Sequence, residues 1–129
     1  MPSNYEIIRD HYAASDRGDI EGMLAPLAPD ARWTEMAGFP YAGTYVGPEE
    51  VRRGVFERIG ADWDGYTAAI TELVDAGDTV IGIGTYSGTN RATGRFFEAR
   101  VAHVWRLADG RVVAFEQFTD TARVRDALA

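Results

Sequence analysis

The chain has 129 residues, 20 acidic and 13 basic side chains, a net charge of -7 and neither Cys nor Lys. That length buries one core without covalent staples, and an acidic balance with no basic run excludes a nucleic-acid backbone or an anionic membrane as its natural partner. The missing residue types also exclude disulfides, thiol nucleophiles, cysteine-ligated metals and lysine Schiff bases.

Met1-Pro2-Ser3-Asn4 has no basic start followed by an apolar stretch, and no apolar run reaches the ~18 residues of a membrane span. A soluble cytoplasmic protein, folded as one domain over residues 1–129, is the expectation. Ser3 and Glu6 form a capping-box pattern, and Ile7, Ile8, His11 and Tyr12 follow on one helical stripe, which turns His11 inward. Gly18 ends that helix. Asp19 caps a second one running to Leu27, limited by Pro26 and Pro29. Residues 31–35 alternate as a strand that puts Ala31, Trp33 and Glu35 on one side, so a carboxylate shares its face with an indole. Residues 38–47 read as a turn-rich loop whose Tyr41 and Tyr45 cover a pocket mouth. Pro48 opens a helix to Ile59 that buries Val51, Val55, Phe56 and Ile59, with Gly60 as its stop. Four long antiparallel strands complete the chain: 66–74, 79–87, 95–107 and 111–119. Asp120 then caps a short helix over 121–128.

The last hairpin sets the register of the candidate site. A three-residue loop, Ala108-Asp109-Gly110, fits a type I turn with a glycine bulge and pairs Leu107 with Arg111. Counting back places His103 opposite Phe115 and Val101 opposite Gln117, with Phe97, Val101, His103, Trp105, Phe115, Gln117 and Thr119 on one face. A histidine and an amide among aromatics predict a lined cavity. Trp33, Phe56, Trp63, Trp105 and Phe115 are its expected apolar lining, which favours a small hydrophobic ligand. Two histidines far apart, without His-Glu-x-x-His spacing, predict no metal site, and the glycine-rich stretches lack the setting of a nucleotide loop, so no cofactor is expected.

Three segments, Gly18-Asp19-Ile20-Glu21, Ala31-Arg32-Trp33-Thr34-Glu35 and Ala102-His103-Val104-Trp105, resemble the nuclear-transport-factor-2-like superfamily. Within it the chain looks most like the ketosteroid-isomerase-related, SnoaL-like proteins, matched further by Tyr86-Ser87-Gly88-Thr89, Ala92-Thr93-Gly94 and Gln117-Phe118-Thr119-Asp120-Thr121. The resemblance implies an α+β fold: a cone-shaped curved antiparallel sheet, with helices packed on its concave face around an apolar pocket. It also implies sheet-to-sheet pairing into a homodimer, which agrees with strands apolar on both parities. Aligned without gaps on the Gly-Asp-Ile-Glu turn, the general-base position of ketosteroid isomerases falls on Glu35. The oxyanion-hole tyrosine falls on His11, beside Tyr12, and the oxyanion-hole acid on His103. Cyclases and epoxide hydrolases of the superfamily use an acid on the last strand that corresponds to Gln117, and an amide is no base.

The reading is a pocket for a small hydrophobic, carbonyl-bearing molecule, with Glu35 as general base and His103 and Gln117 as polarising donors. His11, Tyr12, Trp33, Tyr41, Tyr45, Phe56, Trp63, Val101, Trp105, Phe115 and Thr119 are its expected ligand contacts. Two other readings stand beside it: a non-catalytic binding or scaffold protein on the same fold, and a hydrolase or polyketide cyclase whose water is activated by Glu35 or Asp120. For Glu35 and His103 a purely structural hydrogen-bonding role is the plainer alternative, and for His11, a helix histidine packed on apolar neighbours, the structural reading is the stronger one.

Overall fold

A computed structural model describes residues 2–129; the reading of the first residue, Met1, lies outside the described residues. Helix α1 (Asn4–Asp16) starts at a complete capping box, in which the Ser3 hydroxyl accepts the Glu6 N–H and the Glu6 carboxylate accepts the Ser3 N–H. It buries Ile8, His11, Tyr12 and Ala14. The Asp19 carboxylate caps α2 (Ile20–Leu24) through the Gly22 N–H. That helix is shorter than expected, because Leu27 already belongs to a strand, β1 (Leu27–Glu35), on which Ala31, Trp33 and Glu35 are buried as the alternation requires.

The expected loop at 38–47 contains a further strand, β2 (Gly43–Val46), paired with β1. A single helical path follows in three pieces: α3 (Gly47–Val51), a π-helical turn (Arg52–Phe56) and α4 (Glu57–Asp62). It runs through Gly60, which therefore does not stop it, and ends where Trp63 becomes extended. Strands β3 (Trp63–Ala76), β4 (Thr79–Asn90), β5 (Phe96–Ala108) and β6 (Arg111–Thr119) are the four long antiparallel neighbours. Asp120 caps the closing helix α5 (Thr121–Asp126) by accepting the Arg123 N–H.

The six strands lie in the order β2-β1-β6-β5-β4-β3. This corrects the expectation of a curved antiparallel cone. The sheet is mixed, since β1 pairs with β6 in parallel, and it is open, running between free edges at β2 and β3. The parallel pair is what brings Glu35, at the end of β1, beside Gln117 on β6.

The last hairpin also differs from expectation, in a way that preserves its faces. Asp109 and Gly110 have φ of 52° and 76°, the pair of left-handed residues that a two-residue type I′ turn needs. Ala108 thus pairs with Arg111, one residue off the expected register. A bulge between Arg106 and Leu107 adds a second offset, because Arg106 pairs with Ala114 while Leu107 pairs with Val112. Two one-residue offsets sum to an even number, so beyond the bulge every side chain keeps its face while each partner moves by two; at the tip, with one offset, Val112 is buried and Val113 exposed. His103 lies opposite Gln117 rather than Phe115, Val101 opposite Thr119, and Phe115 opposite Trp105. Glu116 and Phe118 stay exposed.

Candidate functional site

β4 makes the room. Its inward row reads Val80, Gly82, Gly84, Tyr86, Gly88, Asn90, all buried, and at Gly82 a β-carbon would sit 2.6 Å from the Tyr12 hydroxyl. Glycine there lets that hydroxyl lie flat against the sheet. Between β4 and the helices is a cavity of about 390 Å³. Trp33 stacks on Phe115 with ring centroids 3.8 Å apart and meets Phe56 and Trp105 edge-on, which makes one wall aromatic. Of the lining residues Glu35 is the one acid and Arg91 the one cation, tied to Asp64 at 2.7 Å.

Glu35 is 3% exposed. Its carboxylate accepts the Trp33 indole N–H at 3.2 Å and a Gln117 amide N–H at 3.3 Å. Burial pushes its pKa up to about 8, against the smaller lowering by those two donors. The group thus changes charge near neutral pH.

His103 bridges two phenols. The Tyr12 hydroxyl is 2.7 Å from its Nδ1 and the Tyr86 hydroxyl 2.5 Å from its Nε2. Burial, helped by repulsion from His11, pushes its pKa down to about 3, so the ring is neutral. A neutral ring and two hydroxyls hold three protons, and the two bridging bonds use two. One hydroxyl proton is left over. If Tyr12 donates to Nδ1, then Nε2–H donates to Tyr86 and the spare proton is on Tyr86; the other tautomer leaves it on Tyr12. In either case the phenol oxygen with the spare proton already accepts two N–H bonds, since Trp105 donates to Tyr12 at 2.8 Å and Gln117 to Tyr86 at 3.1 Å. Both tyrosines line the cavity.

Gln117 stands behind this row rather than on the cavity wall. It is 1% exposed, and its carbonyl accepts the Met36 N–H at 3.3 Å, so one side chain ties the end of β1, Glu35 and Tyr86 together. Of the expected ligand contacts, His11, Tyr12, Trp33, Phe56, Trp63, Trp105 and Phe115 line the cavity. Four expected contacts do not. Tyr41 is buried, with its hydroxyl on Asp62 at 2.7 Å and accepting the Trp63 indole N–H, and Tyr45 donates to the Tyr41 carbonyl at 2.7 Å. Val101 packs in the neighbouring core around Phe97 and Tyr86, and Thr119 donates to the Arg100 carbonyl at 2.8 Å.

Two lining phenols were missed as site residues. The sequence offers Tyr86 only within the Tyr86-Ser87-Gly88-Thr89 pattern and Tyr66 only as the start of a strand. The signal for Tyr86 was available: on its face of β4 every neighbour from 82 to 88 is glycine. Tyr66 packs on Trp63, Tyr86 and Phe97. Its hydroxyl has no hydrogen-bond partner among the described residues, yet no buried side-chain oxygen is left unpaired, so it opens onto the cavity. No group of three or more His, Asp or Glu converges among the described residues, and no helix among them is long and apolar enough to cross a membrane.

A family model described as a SnoaL-like domain matches residues 8–115. Among solved structures, an NTF2-like protein from Burkholderia thailandensis is 59% identical, with 100% of this chain and 99% of that one covered and a TM-score of 0.99. TerC, co-crystallised with polyporic acid, is 27% identical, with 95% of each chain covered and a TM-score of 0.82. A protein with a ketosteroid isomerase-like fold from Catenulispora acidiphila is 20% identical over 95% of this chain and 91% of its own, with a TM-score of 0.81, a likeness of fold alone. No curated protein sequence matches the chain.

Proposed function

The chain belongs to the SnoaL-like domain family, and from that premise we propose that its cavity binds a small hydrophobic ketone and abstracts a proton from the carbon next to the carbonyl. The observation that carries this reading is the single buried carboxyl on an aromatic wall, held by two N–H donors and facing open volume.

Glu35 is the base. With a pKa of about 8, about a tenth of it is ionised at pH 7, and a carboxylate so desolvated is far more basic than one in water. As the proton leaves carbon, charge gathers on the carbonyl oxygen. The spare hydroxyl proton of the Tyr12–His103–Tyr86 row and the free Tyr66 hydroxyl are the donors suited to that charge. His103 acts through the tyrosines, because both its nitrogens are occupied. Gln117 acts by holding Glu35 and Tyr86 at their spacing. In a ketone with a β,γ double bond, returning the proton to the γ-carbon moves the double bond into conjugation and completes an isomerisation without a cofactor; in a saturated ketone the proton returns to the α-carbon and the outcome is exchange alone.

One observation favours a second reading, a binding protein without turnover: at neutral pH most of Glu35 is a carboxylic acid, which donates a hydrogen bond as readily as a tyrosine does. Deuterium incorporation from heavy water into a bound ketone separates the two. Water activation rests on Glu35 alone, since Asp120 serves as the α5 cap and does not line the cavity.

A second copy of the chain is the proposed partner. Ile81 pairs across strands with Val104, Ile83 with Ala102, and Ala102 with Phe118. This makes one apolar patch on the outer face, with Phe118 45% exposed. Light scattering at micromolar concentration is expected to give twice the 14.2 kDa of one chain; the mass of one chain would count against the pairing.

A further inference from the structure

Proton abstraction leaves one buried polar group on the cavity wall without a task. His11 is 4% exposed, with its ring edge-on to Trp105 at 4.6 Å and to Tyr12 at 5.0 Å. Its Nδ1 is 2.9 Å from the Met23 carbonyl oxygen. A carbonyl only accepts, so Nδ1 carries the proton. Burial pushes the ring's pKa down to about 4, against the opposite pull of that hydrogen bond, so near neutrality Nδ1–H is its only N–H and Nε2 keeps a lone pair. Nε2 has no partner among the described residues, and no buried side-chain nitrogen is left unpaired, so the lone pair opens onto the cavity that His11 lines. His103 differs in this respect, since tyrosines occupy both its nitrogens.

The remaining polar groups assigned to the ligand are donors toward a carbonyl: the Tyr66 hydroxyl, the spare phenol proton and, in its acid form, Glu35. His11 supplies the complement, one acceptor fixed in position by its bond to α2. Resting on the ketone reading, we propose that the ligand is a hydroxylated ketone whose alcohol or phenol O–H donates to His11 Nε2. A plain ketone or a methyl ether leaves a buried acceptor stripped of water and unpaired, which discriminates by on the order of 10-fold or more in affinity.

Calorimetric titration with the positional isomers of hydroxytetralone and their methyl ethers tests this. At least one isomer is expected to bind the wild type ~10-fold or more tightly than its ether, and His11→Leu is expected to erase that preference while still binding the ether. The wild type alone gives an independent reading: the Nε2 resonance of ¹⁵N-labelled His11 should move with the preferred isomer and not with its ether. The proposal is overturned if no isomer is preferred, if the preference survives in His11→Leu, or if Nε2 is unmoved. Ketone exchange without a hydroxyl preference removes this proposal and leaves the base reading standing. A hydroxyl preference without exchange does the reverse, and a cavity that binds none of these compounds removes both.

Discussion

Glu35→Gln is expected to slow deuterium exchange at the α-carbon of a bound ketone by ~10²–10⁴-fold, the range set by losing a positioned general base, while ligand affinity changes little. The amide fills the same volume beside Trp33 and Gln117 but has no basic oxygen, so the loss falls on the rate and not on binding. Phe115→Ala should behave in the opposite sense. It removes the ring stacked on Trp33 and leaves the carboxylate with both its donors, so binding weakens more than the rate constant of bound substrate. Comparable exchange in wild type and Glu35→Gln would remove the residue on which the enzymatic reading depends.

Stability is expected to peak near pH 6.5, and the two limbs have different owners. On the alkaline side, Glu35 holds its proton to about pH 8 when folded but releases it near 4.5 when unfolded. The native state therefore binds more protons than the unfolded state between those values. Its contribution is complete below pH 4.5 and is lost as pH rises toward 8. The whole difference amounts to about 5 kcal/mol, of which about 2 kcal/mol falls between pH 6.5 and 8. On the acid side the sign reverses. His11 and His103 stay neutral in the fold down to about pH 4 and 3, whereas unfolded histidines take up protons near 6.5. Their contribution is complete above pH 6.5 and is lost as pH falls. Together it is on the order of 8 kcal/mol, as large as the whole stability of many domains, so unfolding in mild acid is expected. Denaturant titrations from pH 4 to 9 check both limbs. Glu35→Gln should flatten the alkaline limb and steepen the acid one between pH 4.5 and 6.5, where Glu35 partly offsets the histidines, and a wild-type profile level from pH 6.5 to 9 would mean that Glu35 ionises normally.

These consequences follow from parts of the chain that were legible to unequal degrees. The strand carrying Ala31, Trp33 and Glu35 could be oriented from alternation alone, because burial of one face forces a period of two. The shared face of His103, Trp105, Phe115 and Gln117 survived a wrong turn type, because the hairpin bulge restored the parity that the shorter loop had shifted. Partners across the strands were not recoverable, since a bulge leaves no residue that marks it. The parallel pairing of β1 with β6 was equally silent, as the two are far apart in sequence and no turn joins them. The antiparallel cone implied by family resemblance failed at that same pair. Tyr41 and Tyr45, expected at the pocket mouth because they sit in a glycine- and proline-rich segment, instead use their hydroxyls for structure: Tyr41 fastens that segment to α4 at Asp62, and Tyr45 ties the segment to itself at the Tyr41 carbonyl. Tyr66 and Tyr86 were overlooked because tyrosine is ordinary strand material. What distinguishes them is an open hydroxyl in one case and a histidine bridge in the other, and both depend on groups remote in sequence.

The central claim is that a single buried carboxyl, ionising near pH 8, removes the proton. The most direct test is the rate of deuterium exchange into a saturating bound ketone as a function of pH. A rate that rises tenfold per pH unit through neutrality and levels off above about pH 8, with Glu35→Gln flat and slow throughout, is the expected result. A wild-type rate no greater than that of buffer at any pH, for ketones that demonstrably bind, would contradict it.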